Sequence, residues 1–221
     1  MEKKKNLLIA LLLIWVAPSF AAKVDTLLVN SPSMNKDVQV VVVTPDAALG
    51  KKAVACPVIY LLHGYGGNAK TWIGVKPDLP QIADEKGIIF VCPDGKNSWY
   101  WDSPKDPSYR YETFVSSELV KYIDGHYKTI ADRKGRAITG LSMGGHGAMW
   151  NAIRHKDTFG AGGSTSGGVD IRPFPLNWDM SKQLGEFAYN KKVWDEHTVI
   201  NQIDKIENGD LAIIIDCGEA D

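Results

Sequence analysis

The stretch RAITGLSMGGHGAMWNAI, residues 136–153, decides the fold of this chain of 221 residues. It opens with a short apolar run typical of a buried strand and closes with the residue spacing of a helix. At the junction stands a G-x-S-x-G motif, Gly140-Leu141-Ser142-Met143-Gly144. So sharp a turn requires glycine on both sides of the serine, because a Cβ there would collide with neighbouring backbone. Unless it is a chance match in a glycine-rich chain, the motif predicts that Ser142 is a nucleophile exposed at a helix N-terminus, where unpaired N–H groups stabilise negative charge.

A second glycine-rich motif, His63-Gly64-Tyr65-Gly66-Gly67, follows an apolar strand-like run upstream of Ser142. Glycines at a strand end let backbone N–H groups approach a substrate oxygen. We predict that the main-chain N–H groups of Tyr65 and Met143 form an oxyanion hole, with Gly64 beside the substrate. The alternative is a simple glycine-rich turn. We interpret His63 as a structural residue, although its imidazole resembles a catalytic base.

Apolar runs and helical patterns alternate along the rest of the chain. Five runs rich in β-branched residues predict strands: Val38–Val43, Val58–Leu62, Ile88–Val91, Ala137–Leu141 and Leu211–Ile215. Three patterns predict helices: Pro80–Lys86, Thr113–Tyr127 and Met143–His155. Continuous apolar strands separated by helices indicate an α/β protein with a mostly parallel sheet and helices on both faces. The segment 171–207 has prolines and scattered charges, which predicts an irregular or helical excursion that is a candidate cap.

The composition excludes several classes of protein. The chain has 25 basic and 26 acidic residues, 44% hydrophobic residues and no long repeat, as in an ordinary globular domain. Apart from the extreme N-terminus it contains no cluster of basic residues, so we expect no nucleic-acid partner.

The N-terminus has the pattern of a secretory signal peptide. Lys3 to Lys5 precede an apolar run, Leu7 to Val16, and the small residues Ser19 and Ala21 follow it. The run is about half of the ~20 apolar residues that a spanning helix needs, so an uncleaved membrane anchor is the weaker alternative. We expect a signal peptide at residues 1–21, a single globular domain at 22–221, and a secreted or periplasmic protein.

Three cysteines, Cys56, Cys92 and Cys217, could form one disulfide in an oxidising compartment. Each lies in or at the end of an apolar run, which favours a buried, hydrophobic role. None has the spacing of a zinc site, and we expect no metal.

Taken together, the motifs resemble the family of α/β-hydrolases that includes esterase D, feruloyl and acetyl-xylan esterases, tributyrin esterases and mycolyltransferases of the antigen 85 type. The resemblance rests on four blocks: PVIYLLHGYGG (57–67), YETFVSSELVKYID (111–124), the block at 136–167, and LAIIIDCGEAD (211–221). It implies the α/β-hydrolase fold and a serine carboxylesterase with a Ser, Asp, His triad and no cofactor. Ser142 matches the nucleophile and Asp221 the acid of a D-x-G-x-x-D block, with Asp216 as the competing acid.

In that family the general base follows the acid in a G-x-H-x-W-like block. All five histidines of this chain precede Asp221: His63, His126, His146, His155 and His197. His146 lies one helical turn beyond Ser142, where it should face away, and only His197 is worth testing as a substitute. We therefore expect a chain that is C-terminally truncated relative to the family, lacking the last strand, the last helix and the base, and essentially inactive as written.

An aromatic run, Trp99-Tyr100-Trp101, follows the strand that ends near Cys92, and the resemblance places a similar loop beside the mouth of the active site. These rings could bind sugar rings or an aromatic acyl group, or they could form a buried cluster. The expected substrates are acetyl or feruloyl esters of carbohydrates, or short-chain acyl esters. The alternatives are a catalytically dead carbohydrate-binding module and a mycolyl-type acyltransferase.

Overall fold

A seven-stranded sheet forms the centre of the computed structural model, which describes residues 22–220. The predicted signal peptide and Asp221 lie outside these residues. The strands are β1 (Lys23–Ser31), β2 (Lys36–Thr44), β3 (Val58–Leu62), β4 (Ile89–Pro93), β5 (Arg136–Gly140), β6 (Ala161–Thr165) and β7 (Ala212–Asp216). Their spatial order is β1-β2-β4-β3-β5-β6-β7. The pairs β1/β2 and β2/β4 are antiparallel and the other four pairs are parallel.

Helices cover both faces of the sheet, as predicted. They are α1 (Thr71–Val75), α2 (Leu79–Lys86), α3 (Tyr111–Thr113), α4 (Leu119–His126), α5 (Met143–Arg154), α6 (Met180–Leu184) and α7 (Lys191–Glu196). The apolar run of strand β2 is continuous because its side chains are buried on both faces of the sheet. Val40 and Val42 join the core under α4 and α5, while Val41 and Val43 join the core under α1 and α2. Both faces of the strand are buried, so neither needs polar residues.

The sequence missed two strands. In β1 exposed and covered residues are mixed, and Leu28 is exposed on this sheet edge, so the strand lacks a continuous apolar run. Strand β6, AGGST, was not predicted because its two glycines are untypical of a strand. One of them packs against Ala152 of α5. The predicted helix at 113–127 begins at Tyr111 and contains a π-helical turn, Phe114–Glu118.

The predicted excursion connects β6 to β7. It contains α6, α7 and the 3-10 helices Phe187–Tyr189 and Val199–Lys205. Met180 and Leu184 of α6 and Trp194 of α7 are fully buried, so the excursion is anchored in the core.

Cysteine burial differs from the expectation at one position. Cys56 and Cys92 are buried thiols, whereas Cys217 is exposed because it follows β7, which forms an edge of the described sheet. No helix between residues 22 and 220 has the length and apolarity to cross a membrane.

Strand register brings the two predicted motifs together. Leu62 at the end of β3 pairs with Gly140 at the end of β5, and the two strands are parallel. The loop that begins at His63 and the turn that contains Ser142 therefore emerge side by side at the carboxyl edge of the sheet.

Candidate active site

Ser142 occupies a strained turn between β5 and α5. Its backbone angles are φ 55° and ψ −118°, a region that residues with side chains rarely adopt. A Cβ on Gly140 would lie 2.4 Å from the carbonyl of Gly144, and one on Gly144 would lie 2.2 Å from the carbonyl oxygen of Leu62. Both glycines are therefore required by close backbone approach. Ser142 itself is exposed.

Backbone hydrogen bonds hold this turn on all sides. The Ser142 N–H donates to the carbonyl of Thr165 at the end of β6, at 2.9 Å. The Ser142 carbonyl accepts from the N–H of His146 at 3.0 Å, and the Leu141 carbonyl accepts from Gly144 at 2.8 Å. The serine is therefore fixed by the sheet on one side and by α5 on the other.

The glycine-rich loop after β3 lies against Ser142. A Cβ on Gly64 would be 3.6 Å from the Cβ of Ser142. The loop makes a turn in which the Gly67 N–H donates to the Gly64 carbonyl at 3.0 Å. It is tied to the next loop by the Gly66 N–H, which donates to Asn97 Oδ1 at 2.9 Å.

Two main-chain N–H groups at this junction have no acceptor among residues 22–220. Met143 is the first residue of α5, so its N–H has no partner within the helix. Within residues 22–220 the N–H of Tyr65 donates no hydrogen bond to a protein acceptor either. The assignment of these two groups to an oxyanion hole stays a prediction.

A cavity of about 350 Å³ opens beside Ser142. Tyr65 and Trp99 line it from the loops after β3 and β4. The segment 166–171 after β6 and Cys217 after β7 also line it, and the excursion adds Phe174, Trp178 and Met180. Most of this lining is apolar or aromatic, as expected of a pocket for a small organic group.

The aromatic run divides between the cavity and the core. Trp99 lines the cavity, whereas Tyr100 and Trp101 are fully buried and do not. The prediction that Tyr100 and Trp101 contact substrate is therefore wrong. Positive φ angles at Trp99 and Tyr100 turn the chain sharply, so the Tyr100 ring points inward and packs where a Cβ on Gly95 or Gly147 would clash with it.

Tyr100 instead supports the glycine-rich loop. Its hydroxyl accepts from the N–H of His63 at 3.0 Å and lies 3.2 Å from the His63 carbonyl. The imidazole of His63 is also buried: its Nε2 accepts from the N–H of Gly95 at 2.9 Å, and its Nδ1 lies 2.8 Å from the Gly64 carbonyl. The structural role expected for His63 agrees with these contacts.

His146 is buried against the rings of two tryptophans. Its ring lies 5.0 Å from the rings of both Trp99 and Trp101, and its Nδ1 is 2.9 Å from the carbonyl of Gly168. Burial lowers the pKa of His146 to about 4, so the ring is neutral at pH 7. It supports the cavity wall at Gly168 but is not part of the lining.

The remaining histidines lie away from Ser142. His197 stacks on Trp150 at 5.5 Å and lines a separate cavity of about 910 Å³, together with His155 and Glu112. His126 stacks on Tyr122 at 4.0 Å, on α4. No histidine of residues 22–220 lines the cavity beside Ser142.

Asp216 is the last residue of β7, and its carbonyl accepts from the N–H of Ser166 at 2.8 Å. It therefore lies at the same carboxyl edge as Ser142. Asp221, the predicted acid, lies outside the described residues. Across residues 22–220, no group of three or more His, Cys, Asp and Glu side chains is arranged to hold a metal ion.

None of the cavity residues from the excursion was predicted from the sequence. Phe174 and Trp178 are exposed aromatics in a polar segment, which is a weak signal for a binding surface. Nothing in the sequence links Asp179 with Tyr65, although the Tyr65 hydroxyl donates to Asp179 Oδ2 at 2.7 Å.

An exposed serine on a strand–turn–helix junction of a mostly parallel sheet, next to a glycine-rich loop from the adjacent strand, defines the α/β-hydrolase fold. The chain belongs to the esterase family described as "Putative esterase", whose model matches residues 31–221.

Curated and solved relatives agree with this family. The chain is 28% identical to the esterase Rv1288 of Mycobacterium tuberculosis over 169 residues, which cover 69% of this chain and 36% of that protein. It is 35% identical to the MPT51/MPB51 antigen of the same species over 150 residues, which cover 66% of this chain and 46% of the antigen. A solved ferulic acid esterase matches with a TM-score of 0.71 and 29% identity, covering 90% of this chain and 80% of that one. The chain thus spans less than half the length of these two curated relatives.

Proposed function

We propose that this protein is a serine carboxylesterase that forms an acyl-enzyme on Ser142. The observation that supports this most is the exposed Ser142 at φ 55°, with the glycine-rich loop and an apolar cavity beside it. Membership of the esterase family supports ester hydrolysis in general. A strained backbone held by several hydrogen bonds is typical of a functional residue.

The reaction proceeds in two steps. A general base takes the proton of the Ser142 hydroxyl while Oγ attacks the ester carbonyl, and the N–H groups of Tyr65 and Met143 bind the oxyanion. The intermediate collapses with release of the alcohol, which receives that proton. Water then attacks the acyl-enzyme with the help of the same base, which releases the acid and restores the serine.

In this proposal residues 22–220 supply neither the general base nor the carboxylate that orients it. Asp221 is the proposed acid, and no described histidine lines the cavity. A serine without a base is a weak nucleophile, so a polypeptide of residues 22–221 should hydrolyse p-nitrophenyl acetate only slowly. Its residual rate should be on the order of 10³ to 10⁴ above that in water, as when a triad member is removed.

The cavity supports a small or aromatic acyl group. Trp99, Phe174 and Trp178 present rings that can stack on a planar acyl group or a sugar ring. We propose acetyl or feruloyl esters of carbohydrates as substrates, with short-chain acyl esters as the simplest alternative. The pattern of residues 1–21 and the similarity to a ferulic acid esterase support an exported enzyme for such esters.

A second candidate function is a catalytically inactive module that binds carbohydrate through the same cavity. The lack of any histidine in the lining contributed by residues 22–220 favours it. An inactive module would bind sugar esters without turning them over.

Covalent labelling separates these functions. The full-length gene product is treated with a fluorophosphonate, and the modified residue is located by mass spectrometry. An esterase is labelled at Ser142, loses the label in Ser142→Ala and keeps it in Ser166→Ala, which removes the other serine hydroxyl of the cavity. An unlabelled protein that still binds xylan fragments would support the inactive module.

A further inference from the structure

Three aromatic side chains, Trp99, Trp178 and Phe174, form one wall of the cavity beside Ser142, and we call them the aromatic wall. The Trp178 ring is central: its centroid lies 6.1 Å from that of Trp99 and 5.5 Å from that of Phe174. Trp99 is only 4% exposed, whereas Trp178 and Phe174 are 43% and 45% exposed. The ring surface that a bound molecule can reach therefore comes mainly from Trp178 and Phe174, and both belong to the excursion.

The backbone at Trp178 is strained. Trp178 and Asp179 have left-handed backbone angles, φ 51° and 55°, which a residue as bulky as tryptophan rarely adopts. Such strain persists only where surrounding contacts hold it, and it is concentrated at functional sites. Here the Trp178 carbonyl accepts from Trp99 Nε1 at 3.2 Å, and Met180, two positions further on, is fully buried. The fold itself therefore holds the Trp178 ring against the cavity.

The polar groups of the lining do not suit a sugar ring, because its several hydroxyls need hydrogen-bond partners once they leave water. Two of the polar side chains already have partners. The Tyr65 hydroxyl donates to Asp179 Oδ2 at 2.7 Å, and Arg172 donates to both carboxylate oxygens of Asp170, each at 2.8 Å. Beyond the nucleophile, Ser166 adds one hydroxyl. An apolar ring fits this lining better than a polyol does.

The size of the cavity favours a group larger than acetyl. Its volume of about 350 Å³ lies within the roughly 300–1,000 Å³ of pockets that bind drug-sized molecules. An acetyl group would leave most of this space, including the aromatic wall, to water. A planar aromatic group can stack on Trp178, and such ring pairs gain more than the burial of their area alone provides. An aliphatic chain of equal size lacks this gain.

We propose that Trp178 determines the acyl specificity of this protein, and that it selects esters whose acyl group carries an aromatic ring over acetyl and aliphatic esters. This inference rests on the proposed function, because it takes the acyl group transferred to Ser142 as the occupant of the cavity. It narrows the proposed substrates to aromatic acyl esters and gives the excursion the task of selecting them.

Steady-state kinetics of the full-length gene product with three p-nitrophenyl esters test this specificity. The acetate, hexanoate and cinnamate share one leaving group, and each variant is compared with the unmodified protein on the same ester, so differences in intrinsic reactivity cancel. In Trp178→Ala, kcat/KM should fall about tenfold or more for the cinnamate, by less than about threefold for the hexanoate and by less than about twofold for the acetate. Trp178→Phe keeps a ring and should retain most of the activity on the cinnamate.

Tyr189→Ala is the matched control. Tyr189 is another aromatic residue of the excursion, but it is exposed and does not line the cavity. Its replacement should change kcat/KM by less than about twofold for all three esters. A binding measurement then removes the chemical steps: in the Ser142→Ala background, ethyl cinnamate should bind about tenfold more weakly when Trp178→Ala is added.

The outcomes separate this inference from the proposed function. If Trp178→Ala lowered the rate on the hexanoate as much as the rate on the cinnamate, or lowered neither, the aromatic specificity would be wrong and Ser142 would remain the nucleophile. Fluorophosphonate labelling that persists in Ser142→Ala would overturn the proposed function, and the acyl specificity with it.

Discussion

Gly64 and Ser142 face each other at the ends of two neighbouring strands, with room between them for one methyl group: a Cβ on Gly64 would be 3.6 Å from the Cβ of Ser142 and 3.4 Å from the carbonyl oxygen of Leu141. The contact follows from the register of β3 and β5, in which Leu62 and Gly140 are partners. Two loops separated by more than seventy positions thereby form one site.

Gly64→Ala should slow the reaction at Ser142 without lowering the stability of the protein. A methyl group at these distances makes ordinary van der Waals contacts, so the melting temperature should stay close to that of the unmodified protein. The methyl group would lie over the Ser142 side chain and obstruct the ester carbonyl, so the rate of fluorophosphonate labelling should fall about tenfold or more. An unchanged labelling rate would place the substrate oxygen elsewhere.

Gly144→Ala, in contrast, should destabilise the fold itself. Its Cβ would lie 2.2 Å from the carbonyl oxygen of Leu62, a backbone atom that cannot move without disturbing β3. We expect a loss of about 3 kcal/mol or more in the free energy of unfolding, measured with urea.

Gly125→Ala is the matched control for Gly144→Ala. It is a helical glycine of α4 with no heavy atom within 4 Å of the new Cβ. It should stabilise the protein by roughly 0.5–1 kcal/mol. Equal effects of the two substitutions would contradict the packing described for the turn.

Tyr100→Phe tests the buried support of the glycine-rich loop. The substitution leaves the N–H of His63 buried without its acceptor, which should cost about 1–3 kcal/mol of stability. Labelling of Ser142 should slow as well, because His63 precedes Gly64 and Tyr65. Tyr189→Phe, on an exposed side chain, serves as the control in the same urea titration. A Tyr100→Phe variant as stable as Tyr189→Phe would argue against this support.

The sequence predicted features that depend on local pattern. Ser142 and its flanking glycines form a contiguous motif, and the four valines of β2 form one run, so both were found. The aromatic run, residues 99–101, shows the limit of prediction from local pattern. Three consecutive loop residues have no periodicity, and the left-handed angles at Trp99 and Tyr100 decide which ring faces the cavity.

Contacts between distant segments were not predictable. The hydrogen bond from Tyr65 to Asp179 depends on where the excursion folds back, and no spacing rule connects residues 114 positions apart. Strand β6 was missed because AGGST has the composition of a loop, although the sheet requires small residues there for α5 to approach.

Glu112 should make stability depend on pH. Burial alone would raise its pKa, but hydrogen bonds from His155, Arg154 and Trp150 outweigh burial and lower the pKa to about 2, against 4.5 for an ordinary glutamate. A carboxylate with a lowered folded-state pKa stabilises the fold above the unfolded-state value, and this contribution is lost as the pH falls from about 4.5 to 2. It is on the order of 2–3 kcal/mol.

Urea titrations at several pH values measure this contribution. The free energy of unfolding should decrease below about pH 4.5 in the unmodified protein, and the decrease should be smaller in Glu112→Gln. The same decrease in both proteins would show that other carboxylates are responsible.

The most direct test of the central claim is a crystal structure of the full-length gene product after reaction with a fluorophosphonate. We predict a phosphorus–oxygen bond to Ser142 Oγ and a phosphoryl oxygen about 2.7–3.1 Å from the main-chain nitrogens of both Tyr65 and Met143. A phosphonate on another residue, or a phosphoryl oxygen directed to solvent and away from these nitrogens, would contradict it.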